Sequence, residues 1–95
     1  PVSRQEIAWI ICTATGKTPM PSCSAVFGDV ARTNPFCPWI ERLADTGSWP
    51  GGIPVTSGCV CPSSYPPGAK CYCPKSNVTR SQIAVFLVKA FGITL

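Results

Sequence analysis

The sequence predicts a mainly α protein: a small three-helix bundle with long disulfide-stapled loops and a short β-ribbon. Three observations point there. A phrase near the start, VSRQEIAWIICTATG, recurs 76 residues later as VTRSQIAVFLVKAFG, and each copy opens a run with helical apolar spacing. A third apolar run, residues 35 to 46, lies between Asn34 and Gly47. The rest is rich in Pro, Gly and Ser and holds five of the seven cysteines.

The first helix is expected over 3–15. Ile7, Ile10, Ile11 and Ala14 fall at helical spacing and Gly16 follows as a stop. Ser3 and Glu6 form an S-x-x-E capping box, each satisfying a free backbone N–H of the first turn, and Val2 and Ile7 are placed for a hydrophobic staple across it. The last helix, roughly 79–91, repeats the device with Thr79 and Gln82 as the box and Val78 and Ile83 as the staple. Its apolar stripe is Ile83, Phe86, Leu87, Ala90 and Phe91. A middle helix over 35–46 is capped by Asn34, starts at Pro35 and ends at Gly47, with Phe36, Trp39, Ile40 and Leu43 on one face.

The segment from 47 to 77 is long for a structureless loop, so something must pin it. In CVCPSSYPPGAKCYC, Cys59 with Cys73 and Cys61 with Cys71 have equal index sums. They would sit opposite each other in an antiparallel ribbon with its tip at Tyr65-Pro66-Pro67-Gly68, two cross-links on one face. A four-thiolate zinc site is the rival reading, but C-x-C pairs are less usual than C-x-x-C for zinc. Cys23 and Cys37 flank the FGDV turn and form the best remaining pair. Cys12 is left over, as a buried free thiol or a cross-link to another chain, the buried thiol being preferred.

Composition bounds the function. The chain has 45% hydrophobic and 13% charged residues with a mean hydropathy of +0.22, which argues against disorder and suggests that some surface is covered by a partner. The net charge of +4 is scattered, with no Lys/Arg run, so nucleic acid is not an expected partner. There is no His, and the only carboxylates are Glu6, Asp29, Glu41 and Asp45; neither a nucleophile–base pair nor a carboxylate pair stands out. The chain is therefore read as a non-enzyme without catalytic residues, cofactor or metal. Seven cysteines point to an oxidising compartment outside the cytoplasm, and no apolar run approaches the ~20 residues of a membrane span. A chain opening at Pro1 rather than Met reads as a mature secreted product or a piece of a longer one.

In order, FGDV (27–30), PFCPWIERLADTG (35–47), YCP (72–74) and VTRSQIAVFLVKAFG (78–92) resemble a repeat of the S-layer homology (SLH) family, in a Cys-containing version common in secreted bacterial proteins. VSRQE (2–6) resembles the second-helix motif of a preceding repeat. The resemblance implies an SLH-like helical bundle organised as a half-repeat helix (1–16), a linker (17–26) and a complete repeat (27–95), on the surface of, or secreted by, a prokaryote. Two departures stand out: the loop from 46 to 74 is longer than usual, and the acidic member of the motif is Glu6 in the first copy but Gln82 in the second.

In that family the motif's Arg and its neighbours line glycan grooves, so the resemblance makes Arg4 and Arg80 candidate contacts to an anionic glycan; bracing the helix entry by bonding carbonyls is the preferred alternative. Asp29 is expected in a turn or cap role. Trp9 and Trp39 are expected in the core or an interface. Trp49, in GSWPGG, is expected as an exposed platform for sugar or as an anchor in a subunit contact. Asn77-Val78-Thr79 matches a glycosylation sequon but coincides with the helix cap and is read as chance. Two functions follow. The first is an extracellular structural protein that assembles with copies of itself, head to tail, into a cell-surface layer or filament, since a chain opening part-way through a repeat leaves an apolar face for another copy. The second is a non-covalent anchor for cell-wall polysaccharide.

Overall fold

A computed structural model describes residues 2–49 and 51–92. Pro1, Pro50 and residues 93–95, the end of the expected second repeat, lie outside them. The chain measures 38 × 28 × 26 Å and, among the described residues, has three α-helices in the order α1 (Arg4–Ala14), α2 (Cys37–Ala44) and α3 (Arg80–Phe91), plus one 3₁₀ turn at Thr46–Ser48. Among the described residues no strand forms, so the regular structure is helical, with more than half of the residues in turns and loops.

Both flanking helices start as local chemistry dictates. At Ser3 the hydroxyl accepts from Glu6 N at 3.2 Å while Ser3 N donates to Glu6 Oε1 at 3.0 Å. At Thr79 the same reciprocal pair joins Gln82, at 3.2 and 3.0 Å. Two otherwise unpaired N–H groups are satisfied at each start. α3 ends at Gly92, whose φ of 66° is the left-handed conformation a glycine reaches without side-chain strain.

The middle helix is shorter than the sequence predicts, Cys37–Ala44 instead of 35–46. Asn34 Oδ1 accepts from Phe36 N at 2.8 Å, so Asn34 closes a turn before the helix instead of capping it, and Pro38 takes the first-turn position expected of Pro35. At the other end Asp45 is extended and its carboxylate holds Ser48 Oγ at 2.7 Å, drawing the backbone into the 3₁₀ turn.

The expected β-ribbon over 59–73 is likewise absent. Pro62, Pro66 and Pro67 cannot donate, and Gly58 and Gly68 have positive φ. The backbone instead closes successive tight turns, Cys59 N to Thr56 O, Tyr65 N to Pro62 O and Ala69 N to Pro66 O.

One apolar cluster unites the molecule. α1 contributes Ile7, Ala8, Ile11 and Cys12, and α2 contributes Cys37, Ile40 and Leu43. The loops add Phe27, Val30, Trp49, Ile53, Val55 and Tyr72, and α3 adds Phe86. α1 thus lies on α2, whereas α3 is held largely by loop residues.

Candidate functional site

The two copies of the repeated phrase meet. Ser3 and Asn77 form an antiparallel bridge, with Arg4 N donating to Ser76 O and Val78 N to Val2 O, each at 2.8 Å. The helix starts are therefore pinned side by side, and from this junction Arg4 and Arg80 take opposite courses.

Arg4 is 1% exposed. Its Nε donates to Tyr72 O at 2.6 Å, Nη1 to Ser57 O at 2.9 Å and Nη2 to Val55 O at 2.5 Å. The guanidinium also lies over the rings of Tyr72 and Phe86, at 5.0 and 5.7 Å from their centroids. The Tyr72 hydroxyl donates back to Arg4 O. Burial holds the Arg4 pKa below its ordinary value and pushes the Tyr72 phenol up. With its donors spent on carbonyls inside the fold, Arg4 ties α1 to the 53–57 and 72–74 loops. Arg80 is exposed at the start of α3.

Gln82 shows why the second copy departs from Glu. Its Nε2 donates to Ser57 O at 3.3 Å, the same carbonyl that Arg4 holds. A carboxylate would cap the helix equally well but has no proton to give that carbonyl. Gly58 makes room: a Cβ there would stand 1.8 Å from Gln82 Nε2, and its φ of 75° also favours glycine.

Two carboxylates organise the loops. Asp29 Oδ1 accepts from Tyr72 N at 2.9 Å and Oδ2 from Cys73 N at 2.7 Å, so the FGDV turn anchors the YCP segment. Glu41, 6% exposed on α2, accepts from Ser24 N at 2.8 Å and Val26 N at 3.1 Å. Ala25 between them has φ 57°, a left-handed conformation that turns both N–H groups toward one carboxylate. The sequence reading missed Glu41 in this role. Its signal was a lone carboxylate one helical turn after Cys37, facing the loop that Cys23 delivers.

Three cysteine pairs lie at disulfide distance: Cys23–Cys37, Cys59–Cys73 and Cys61–Cys71, with Cα separations of 5.8, 5.9 and 5.3 Å. Glu41 beside Cys23–Cys37, and Asp29 beside Cys59–Cys73, are the sulfur–carboxylate clusters of the described residues. Paired sulfurs offer no thiolate, and both carboxylates already accept backbone N–H groups. Cys12 is free and fully buried, its Sγ 3.7 Å from Trp39 O, and burial pushes its thiol up to about 11.

Trp49 is inside the molecule, not on its surface as a sugar platform or subunit anchor. It is 3% exposed, its Nε1 donates to Arg42 O at 3.0 Å, and Lys17 Nζ lies 5.3 Å from its ring centroid. The GSWPGG loop folds its one large apolar side chain inward, because the core has a place for it and solvent does not. Trp9 is 46% exposed on α1.

Among the surfaces left open by the described residues are a cleft and one side of a helix. An open cleft of about 820 Å³ runs between the 29–36 turn and the cystine loop, with Gln5, Asn34, Phe36, Tyr65 and Lys75 among its walls. The other is the outer side of α3, where Ala84, Val85 and Phe91 are exposed. Comparison with protein-family models, curated proteins and solved structures returns no match.

Proposed function

We propose that the chain is an extracellular structural module of the S-layer homology type that associates with copies of itself to build a cell-surface layer or filament. The observation that carries this reading is α3. Of RSQIAVFLVKAF, eight residues are apolar, yet Phe86 alone is fully buried and Ala84, Val85 and Phe91 are exposed. A helix apolar on all sides belongs inside a larger core or against a neighbour. The three disulfide-distance pairs fit an oxidising exterior.

Sedimentation velocity over a concentration series, with the disulfides intact and no cell wall present, tests the proposal. The weight-average mass should rise with concentration, and negative-stain micrographs should show extended or layered polymers. A monomer at the highest concentration ends the proposal.

The cleft favours a second reading, polysaccharide anchoring, in which Tyr65 and Phe36 offer ring faces and Gln5, Asn34 and Lys75 offer polar contacts. Arg4 and Trp49 are internal, so such binding would leave them out. Co-sedimentation with purified cell walls, lost in Tyr65→Ala, is the outcome this reading expects.

A further inference from the structure

The internal repeat supplies a template for the open side of α3. Offsetting by 76 places Ala84 on Ala8 and Val88 on Cys12. In α1 both positions are 0% exposed, and Cys12 Sγ reaches Trp39 O of α2. On α3 the equivalent stripe, Ala84, Val88 and Phe91 at i, i+4 and i+7, lies opposite Phe86, with Ala84 and Phe91 exposed. Ala8 and Cys12 of the first copy are fully covered, whereas in the second copy Ala84 is exposed and Val88 only partly covered. The small Ala84 leaves room for close helix approach.

Among the described residues, the large apolar side chains exposed on helices are Val85 and Phe91 of α3 and Trp9 and Ile10 of α1; Val26 and Val60 lie in loops. Charge separates the two helices. α3 carries Arg80 and Lys89, both exposed, and no acid. The exposed face of α1 carries Glu6, whose capping bonds use Oε1 and leave Oε2 facing solvent. α3 against α3 would bring like charges together, whereas α3 against α1 brings opposite ones.

We infer that the outer stripe of α3 in one copy docks on the Trp9–Ile10 face of α1 in the next, with Glu6 meeting an α3 cation. The inference rests on the self-association proposed above and assigns its two surfaces. They are different surfaces, so the contact is heterologous and propagates.

Two exposed-site variants, Trp9→Glu and Phe91→Glu, test it, with far-UV circular dichroism and disulfide mapping confirming that both retain the fold. Each alone should stay monomeric where wild type polymerises, with association at least ~30-fold weaker. Mixed in equal amounts they should form a heterodimer that grows no further, because each supplies the one face the other has lost. Dimers of Trp9→Glu alone would overturn the inference in favour of a symmetric α3 contact. Polymers from both variants alone would overturn it while leaving self-association standing. A monomeric wild type would remove both.

Discussion

Arg4 and Arg80 stand at the same place in two copies of one motif, and their surroundings set their worth. Arg4 satisfies three loop carbonyls from inside the core, so Arg4→Lys, which cannot reproduce a planar fork of donors, should destabilise the fold by about 3 kcal/mol or more. Arg80→Lys should stay within about 0.5 kcal/mol of wild type, as exposed substitutions do. Urea denaturation of the two variants side by side checks the pair. Cys12 makes a different prediction. The fold holds its thiol neutral and raises it from 9.0 to about 11, so the stability it contributes is complete below pH 9 and lost as pH rises toward 11. The buried Tyr72 phenol is raised as well and acts in the same direction. The urea midpoint should therefore fall between pH 9 and 11, and fall less in Cys12→Ala. Thiol reagents at neutral pH should leave folded Cys12 unmodified.

At the scale of elements, the two helix entries use the same cap with different chemistry. Gln82→Glu retains the box but removes the donor to Ser57 O, and should cost about 1 kcal/mol. Glu6→Gln retains both the Ser3 bonds and the fold at little cost, and thermal melts of the two variants separate them. The helix entries were legible in the sequence because a capping box is written within four residues and owes nothing to distant partners. The boundaries of α2 were not, because Asn34 had a competing local turn available and Asp45 a competing hydroxyl at Ser48. The bracing role of Arg4 was legible only as chemistry without an address, and the loop contacts of Glu41 and Gln82 were not legible at all. Each depends on which loop carbonyl or N–H arrives beside it, and loop paths rich in Pro and Gly carry no periodicity to read. Trp49 was misplaced for the same reason: a loop position says nothing about which way a ring turns.

For the whole molecule, the pairing of cysteines was easier to read than the backbone between them. Equal index sums do not need a ribbon; turns at Pro62, Pro66 and Gly68 bring the same residues together. Each closed loop contributes about 3 kcal/mol in the chain-entropy model, so reduction should unfold the 59–73 loop and release the backbone N–H groups held by Asp29. Amide hydrogen exchange at Tyr72 and Cys73 should then accelerate to near that of an unstructured chain.

The placement of the cross-links also sets a mechanical character. Cys61–Cys71 is nested inside Cys59–Cys73, and Cys23–Cys37 ties a loop to the start of α2, so no covalent bridge reaches α1 or α3. A pull applied through those two helices meets no covalent bridge between them, only non-covalent contacts such as the Ser3–Asn77 bridge, the Arg4 fork and the shared apolar cluster. Once open, the molecule stretches only so far. Each outer cystine, with a sequence separation of 14, withholds roughly 50 Å of contour. The nested inner one keeps most of its share locked if its outer neighbour breaks. Under tension the chain is a soft catch in series with two short tethers: the helices part first, and the cystine loops then limit the extension.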